Sequence, residues 1–310
     1  MRLLENPSFS FIPNRKIGYL ISGTLILLSL LSFATRGLEQ GIDFLGGTEI
    51  VLENVGDLDA LDVRSALAEP LGGQPEVKTF GTTGLLIRTA VDRDVDDLRR
   101  DILSTFETEF ASVSPQVVRT DVVGPRFAQD LQRGAIYSVL GALLVIFVYI
   151  MLRFEWRYGI GALAAITHDV VIVLGIFSVF QDLLPFSLQI DQAIIAAFLT
   201  IVGYSLNDTV VVFDRTREYV NLFKTDPYGE VVNRSINSTL SRTVVTSLTT
   251  LIVTSILLFF GGDVLRGFSF ALVLGVIIGT YSSVFVASPV VVELRNWLEE
   301  SDSKRKRARA

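Results

Sequence analysis

The sequence predicts an α-helical polytopic membrane protein with six transmembrane helices and one α+β domain between the first and second of them. Half of the 310 residues are hydrophobic and the mean hydropathy is +0.49, which is too apolar for an ordinary soluble protein. The apolar residues are concentrated in runs close to the ~20 residues that a helix needs to cross a bilayer. Between the first two runs, the pattern alternates between strand and helix periodicity.

The first apolar run, residues 17–33, follows Arg15 and Lys16. Ser32 and Ala34 have the spacing of a signal-cleavage site, but the run is longer than the usual signal core of ~7 to 15 residues and further spans follow it. We therefore expect an uncleaved membrane anchor. Five more spans are predicted at residues 134–152, 158–180, 191–213, 243–260 and 265–288.

The orientation follows from the positive charges of the short segments. The N-terminus, residues 153–157, residues 214–242 and the tail carry 16 Lys and Arg residues, whereas the opposite short loops carry only Arg266. By the positive-inside rule both termini are cytoplasmic and residues 36–132 lie on the outer side. The basic tail sequence KRKRAR predicts attraction to anionic membrane lipid and not binding to nucleic acid.

These assignments divide the chain into four parts. We expect a cytoplasmic N-terminus with the first transmembrane helix at residues 1–35 and an exported domain at residues 36–132. The five-helix remainder of the membrane domain follows at residues 133–292, and a basic cytoplasmic tail at residues 293–310.

The exported domain is predicted to have strands at residues 48–53, 76–80, 85–90 and 116–123. A first helix is predicted at residues 58–71, and a second is clearer because one helical face is marked by Val95, Leu98, Ile102, Phe106 and Phe110. The resulting βαββαβ order is that of a ferredoxin-like fold. The domain has no catalytic constellation, so we expect binding or mechanical coupling and no enzyme activity.

The segment GIDFLGGT joins the first span to the first strand. Gly41, Gly46 and Gly47 permit positive φ angles and close backbone approach, which predicts a rigid turn or hinge. A phosphate-binding loop is the alternative, but the segment lacks the Lys-Ser/Thr ending and the following helix of a P-loop.

Asn207 and Asp208 fall on the predicted fourth span. An Asp in a spanning helix costs roughly 2.5 to 3.5 kcal/mol on insertion scales, so such residues usually face a polar interior, pair with a cation or relay protons. Asp208 is the first functional candidate. Counting from the charged cluster that begins at Asp214 places Asp208 toward one membrane face.

The third span carries His168 and Asp169 near mid-depth. Because neighbours on a helix point about 100° apart, the two side chains are not expected to face one narrow site together. His168 is read either as a hydrogen-bond partner of a neighbouring helix or as a functional group. Asp169 is read as a neutral hydrogen-bond donor or as a member of a proton relay.

Arg242 stands at the entry to the fifth span and begins a row of hydroxyl side chains at helical spacing. The row consists of Thr243, Ser247, Thr250 and Thr254. The stripe indicates either tight helix packing or the lining of a hydrated path, and the cation at its start favours the path. Asp208 and Arg242 are expected at similar depth, where they approach each other as a proton site or as a structural ion pair.

The sixth span contains the GxxxG pair Gly275 and Gly279, which allows close helix contact and predicts a packing surface. We expect such small-residue faces to support contact with a partner subunit. The chain has no cysteine and one histidine, so neither a metal site nor another cofactor is expected.

Seven segments follow one another along the chain: GIDFLGGT at Gly41, VGP at Val123, FEWRYG at Phe154, HDVVIVLG at His168, GYSLNDTVVVFDR at Gly203, RTVVTSLTTL at Arg242 and FGGDVLRGFS at Phe260. In this order they resemble the SecF branch of the SecD/SecF family, which serves the bacterial Sec protein-translocation machinery. The resemblance covers nearly all of the chain from Gly41 to about Pro289.

The resemblance implies a multi-pass protein of the bacterial cell inner membrane that pairs with a SecD-like subunit. The pair would form a twelve-span assembly similar to the resistance-nodulation-division transporters. It would use the proton-motive force to help draw exported unfolded polypeptide from the SecYEG channel, with Asp208 and Arg242 as proton-conducting residues. A proton-coupled small-solute transporter of the same superfamily and a passive scaffold of the translocon are the alternatives.

Overall fold

The computed structural model describes residues 7–81, 83–90, 93–181, 183–184 and 186–309, with side chains excluded at 263, 264, 302 and 305–309. The predicted role of the KRKRAR tail therefore falls almost wholly outside the described side chains. Ten helices and four strands are assigned within this part of the chain. The helices are α1 (Arg15–Thr35), α2 (Ile42–Leu45), α3 (Ala60–Ala68), α4 (Val95–Glu109), α5 (Pro125–Arg153), α6 (Trp156–Phe180), α7 (Gln192–Leu222), α8 (Tyr228–Phe260), α9 (Asp263–Ser282) and α10 (Ser288–Arg309). The strands are β1 (Gly47–Glu53), β2 (Glu76–Phe80), β3 (Gly84–Thr89) and β4 (Gln116–Val123).

The six predicted spans are confirmed as helices long and apolar enough to cross a membrane. They are α1, α5, α6, α7, α8 and the continuous stretch Leu265–Ser301, in which one turn of π-helix (Ser283–Ala287) joins α9 to α10. About half of the apolar window of α6 and α7 is buried, but only 6% of that of α5. Helices α6, α7 and α9 therefore form the centre of the bundle, and α5 lies at its edge.

The loop expected between the fourth and fifth spans is much shorter than predicted. Helix α7 continues through the charged cluster to Leu222, and α8 already begins at Tyr228. Most charges of this region lie on helices that extend beyond the apolar segment, because charged side chains at exposed helix positions do not interrupt the backbone hydrogen bonds.

The four strands form one antiparallel sheet in the order β2-β3-β1-β4. One face packs on α3 and α4, where residues such as Ile50, Ile87, Leu98 and Phe106 are almost fully buried. This core explains why the predicted strands and helices formed close to the expected positions. We call residues 47–123 the sheet domain.

The glycine segment differs in part from the predicted turn, because Ile42–Leu45 forms the short helix α2. Gly46 and Gly47 have φ angles of +75° and +119°, and a Cβ on Gly47 would lie 2.5 Å from the Thr89 carbonyl oxygen. Gly41 has an ordinary φ of −73°, but a Cβ there would lie 3.2 Å from Cβ of Asp191. Two of the glycines supply backbone conformation and the third supplies close approach.

Candidate functional site: two intramembrane carboxylates

Asp169 lies at the centre of the bundle and is 1% exposed. Its Oδ2 accepts hydrogen bonds from the hydroxyls of Ser205 on α7, at 2.5 Å, and Ser282 on α9, at 2.8 Å. Its Oδ1 lies 2.9 Å from Nδ1 of His168. Three helices thus contribute hydrogen-bond partners to this carboxylate, and both of its oxygens are satisfied.

His168 and Asp169 contact each other directly, so the expectation that neighbouring residues would not share one site was wrong. His168 is buried, and its Nε2 lies 2.9 Å from the Ser22 hydroxyl on α1. The rotamers bring both side chains together although their Cα–Cβ bonds diverge. The Tyr281 hydroxyl lies 3.1 Å from Ser22 and donates to the Gly18 carbonyl, which extends this network along α1.

The small residues of α9 make this network possible. A Cβ on Gly275 would lie 2.2 Å from the Ile201 side chain, and one on Gly279 would lie 2.9 Å from Cβ of Ser205. Close contact between α7 and α9 brings Ser205 and Ser282 to the same carboxylate oxygen. The GxxxG pair is a packing surface as predicted, but it contacts α7 of the same chain and cannot be the partner-facing surface.

Asp208 lies on α7, three residues after Ser205, and its environment differs from that of Asp169. It is 2% exposed, and its Oδ2 has a long contact of 3.5 Å from the Ser247 hydroxyl on α8. Its Oδ1 is buried without a hydrogen-bond partner among the residues that the structure describes. Ser247 also lies 2.7 Å from the Thr280 hydroxyl, so it divides its hydrogen bonding between the two. A buried carboxylate oxygen without a partner is rare and requires an explanation.

The other two predicted partners of this site face outward. Arg242 is an exposed residue of α8 that still interacts electrostatically with Asp208, although within the described part of the chain the two form no ion pair at 4 Å or less. Asn207 is exposed on α7. The predicted approach of Asp208 and Arg242 is therefore a long-range attraction in the chain alone.

The hydroxyl stripe of α8 faces the bundle interior and extends further than predicted. Its buried members are Ser235, Thr239, Thr243, Ser247 and Thr254, with Thr250 half-buried. Thr239, Thr250 and Thr254 donate to carbonyls of their own helix. The Thr243 hydroxyl is buried without a partner in the described part of the chain. Back-bonded hydroxyls favour packing, whereas Ser247 is the hydroxyl of the stripe that contacts Asp208.

The glycine segment contacts the loop that precedes α7. The Gly41 amide donates to the Ile190 carbonyl at 2.9 Å, and the Ile190 amide donates to the Glu39 carbonyl at 2.8 Å. The Gln192 amide at the start of α7 donates to Asp43 at 2.9 Å. These bonds attach the base of the sheet domain to the helix that carries Asp208.

A buried arginine strengthens this attachment. Arg88 of β3 is 5% exposed and donates to Glu49 and Glu76 at 3.2 and 2.9 Å. It also contacts Gln189 of the loop before α7, and Gln189 donates to Glu39 at 2.5 Å. Burial raises the pKa of the Glu39 carboxyl, which also forms an ion pair with Lys78. The polar face of the sheet is therefore held against the membrane bundle.

The sequence did not identify several members of these networks. They are Ser22, Ser205, Thr280, Tyr281 and Ser282. Ser205 lies within the segment that contains Asp208, three residues before it, and that spacing on a helix was the available signal. Nothing in the local sequence distinguishes Ser22 from other serines of spanning helices.

The chain is similar in sequence to known protein-export membrane proteins. Residues 104–297 match the family described as protein export membrane protein SecD/SecF, C-terminal, and residues 31–53 match the SecD/SecF GG motif. The protein translocase subunit SecF of Rhodothermus marinus is 62% identical over 295 residues, which cover 95% of this chain and 96% of that protein. The subunit of the same name from Haemophilus influenzae is 36% identical over 94% of this chain and 87% of its own length.

Solved structures of SecDF proteins are also similar to this chain. The crystal structure of SecDF, a translocon-associated membrane protein from Thermus thermophilus, matches with a TM-score of 0.84 and 36% identity over 94% of this chain. A structure of SecDF in a super-membrane-facing form matches with a TM-score of 0.70 and 34% identity over 98% of this chain. This chain spans 39% and 41% of those two longer chains.

Proposed function

The chain belongs to the SecD/SecF family of protein export membrane proteins, and from this premise we propose that it pairs with a SecD-like subunit to use the proton-motive force in polypeptide export. In this proposal the pair receives exported unfolded polypeptide from SecYEG on the outer side of the bacterial inner membrane. The observation that carries the proposal is Asp208, a buried carboxylate with one oxygen unpartnered in the described part of the chain.

Pairing is supported by an exposed row of small and polar residues on α7, a helix otherwise at the bundle centre. The row consists of Ala193, Ala196, Thr200, Gly203 and Asn207. Its spacing of three and four residues is that of one helical face, and small residues let helices in a membrane approach closely. A Cβ on Gly203 would meet nothing within 4 Å, so this face is free to receive a second helix.

The longer chain of the solved SecDF relatives leaves room for such a partner, since this chain accounts for about two fifths of it. We infer that the SecD-like subunit covers the α7 row and shields Arg242 from water. Covering Arg242 would lower the local dielectric and strengthen its attraction to Asp208.

The pairing is tested by placing a bulky side chain at Gly203. Gly203→Trp should abolish co-purification with the SecD-like subunit of the native host while the chain remains folded. Gly141→Trp on the edge helix α5 is the matched control, because a Cβ at Gly141 also meets nothing within 4 Å. If both variants co-purify equally with the partner, the hypothesis that α7 is the pairing surface is wrong.

Proton use follows from the chemistry of Asp208. A proton taken up by Oδ1 converts the carboxylate into a neutral acid, which removes its attraction to the permanently charged guanidinium of Arg242. The contact between α7 and α8 then has two states of different energy, one for each protonation state. The bonds between the start of α7 and residues 39–43 provide a route from that change to the sheet domain.

The decisive experiment is export into membrane vesicles in the presence and absence of a proton gradient. With the complete pair present, imposing the gradient should raise ATP-driven export, and collapsing it should remove that increase. A passive scaffold predicts the same export in both conditions, and that result would reject the proposal.

A small-solute transporter has less support from the cavities. Three cavities of about 650, 540 and 520 Å³ lie at helix ends or beneath the sheet domain. A fourth lies between α5 and α6 within the spans, but its volume of about 10 Å³ is too small for a solute. A transporter site is expected near the midplane.

The orientation has a direct test, because the chain lacks cysteine. Exposed Ala111 and Ser303 are each replaced by Cys in separate variants and treated with a membrane-impermeant reagent on intact cells. We expect labelling at position 111 only. Labelling at position 303 only would reverse the proposed topology.

A further inference from the structure

A cavity of about 650 Å³ lies at the end of the bundle opposite the sheet domain, where α5 and α7 end, α6 and α8 begin, and the first turns of α10 lie. Four arginines line it, namely Arg153, Arg157, Arg217 and Arg295, against the single carboxylate of Glu155. The lining therefore carries a net positive charge at the place where spanning helices leave the membrane. Such a concentration of guanidinium groups has no part in the proton and pairing proposals.

The arginines are only partly neutralised by this chain. Arg157 pairs with Glu155 at 2.6 Å, Arg153 with Asp214 at 3.0 Å and Arg295 with Glu299 at 2.9 Å. Arg217 makes one long hydrogen bond of 3.5 Å to the Arg153 carbonyl, and no carboxylate partner for it is found in the described ranges. An exposed guanidinium that makes only one weak hydrogen bond has donors left for an anion.

The remaining lining suits an amphiphilic molecule. The hydroxyls of Tyr158 and Tyr228 lie 3.3 Å apart and, with Asn221, add uncharged hydrogen-bond donors. Leu152 lies at the rim of the cavity and is 84% exposed. It belongs to α5, the helix at the edge of the bundle, whose apolar side chains are mostly exposed. Donors inside and an apolar rim beside the membrane provide contacts for both parts of a phospholipid.

We propose that this cavity binds the phosphate group of an anionic phospholipid, with Arg217 as the main uncompensated ligand and the acyl chains lying along α5. A planar guanidinium group can donate two hydrogen bonds at once to the oxygens of a phosphate. A phosphodiester that lies beside α5 is within reach of both Arg153 and Arg217. The site differs from the tail sequence KRKRAR, because it is a formed cavity and not a general basic surface.

The test uses the full chain in nanodiscs of phosphatidylcholine that contain a minor share of brominated phosphatidylglycerol. Trp156 begins α6 next to Arg157, and Trp297→Phe leaves it as the remaining tryptophan. Quenching of Trp156 by brominated phosphatidylglycerol should exceed quenching by brominated phosphatidylcholine at the same share. Arg217→Gln in this background should lower that preference about five-fold, since a basic residue near the membrane contributes about 1 kcal/mol to anionic-lipid attraction.

Arg215→Gln is the matched control, because Arg215 lies two residues away on α7, pairs with Glu218 at 2.8 Å and is not among the cavity residues. It should retain the preference. Equal losses in the two variants would reject a built site in favour of general surface charge, and equal quenching by both lipids in the parent would reject anionic selectivity. Excess inorganic phosphate at constant ionic strength should leave most of the preference, because free phosphate lacks the acyl-chain contacts along α5. Complete loss of the preference would show that free phosphate is the favoured occupant and would reject the lipid assignment.

Discussion

Asp169 and Asp208 are both buried carboxylates in the same bundle, but they differ in how many hydrogen bonds the surrounding side chains donate to them. Asp169 has both oxygens within hydrogen-bond distance of side chains from α6, α7 and α9. Asp208 has one long hydroxyl contact and one oxygen with no partner among the described residues. The first is an assembled network that ties helices together, and the second is an incomplete site.

The difference indicates separate roles. A fully hydrogen-bonded network rigidifies the place where it lies, and losing a member leaves other buried groups unsatisfied. A carboxylate with few hydrogen bonds and no direct ion pair can gain or lose a proton without breaking many contacts of the bundle. We therefore infer that Asp169 stabilises the bundle and that Asp208 is the group whose protonation changes during function.

The largest effect is expected from Asp169→Ala, which removes the acceptor of Ser205 and Ser282 and the partner of His168. Each orphaned buried group costs about 1 to 3 kcal/mol, so the total loss should reach about 3 kcal/mol or more. Membrane abundance and the thermal unfolding midpoint of the purified protein measure it. Asp169→Asn keeps one acceptor oxygen and should be less damaging. If Asp169→Ala is as abundant and as thermally stable as the parent, the network has no structural role.

Asp208→Asn should have the opposite profile. The amide keeps the shape of the carboxylate and removes its titratable charge, so abundance should remain normal while the gradient-dependent part of export is lost. ATP-driven export without a gradient should persist. Asp208→Glu, which is titratable but longer, should retain part of the gradient effect. Normal gradient-dependent export by Asp208→Asn at normal abundance would end the proton-relay hypothesis.

Arg242→Lys should cause a partial loss of gradient-dependent export, because in the proposed pair, where Arg242 is shielded from water, a point ammonium does not engage a carboxylate as a planar guanidinium does. The charge is conserved and the residue is exposed in the chain alone, so abundance should change little. Arg234→Lys is a suitable control, since Arg234 is on the same helix and pairs with Asp226 at 3.2 Å. Equal export by the two variants would remove Arg242 from the site.

The smallest effects come from two serines that contact the two carboxylates. Ser205→Ala removes a 2.5 Å hydrogen bond to Asp169 and should cost about 1.5 to 3 kcal/mol of stability, as for bonds to charged groups. Ser247→Ala removes a 3.5 Å contact to Asp208 and a 2.7 Å hydrogen bond with the Thr280 hydroxyl, which keeps its own bond to the Val276 carbonyl. It should therefore cost less than Ser205→Ala, about 1 kcal/mol or less, as for bonds between neutral groups. Thermal unfolding midpoints of both variants give the comparison, and similar shifts would contradict the contrast between the two sites.

The sequence by itself determined the spans and the secondary structure of the sheet domain. Apolar runs near 20 residues have few alternatives to a membrane helix, because a bilayer supplies no hydrogen bonds to the backbone. The periodicity at Val95, Leu98 and Ile102 likewise identified α4, because these residues recur on one helical face. The presence of carboxylates at positions 169 and 208 was also visible in the sequence, as was the family resemblance. These features depend on local pattern.

The tertiary structure alone decided which carboxylate is satisfied. Ser22, Ser205 and Ser282 reach the His168–Asp169 pair from three other helices, and Gly279 permits the approach that brings two of them together. The same packing leaves Asn207 and Arg242 on the outside of the bundle. Hydrogen-bond partners in a helical bundle are set by how the helices rotate and how closely they approach. The rotation and the approach of the helices both depend on contacts between residues far apart in sequence. The helical periodicity of a single span does not predict these contacts.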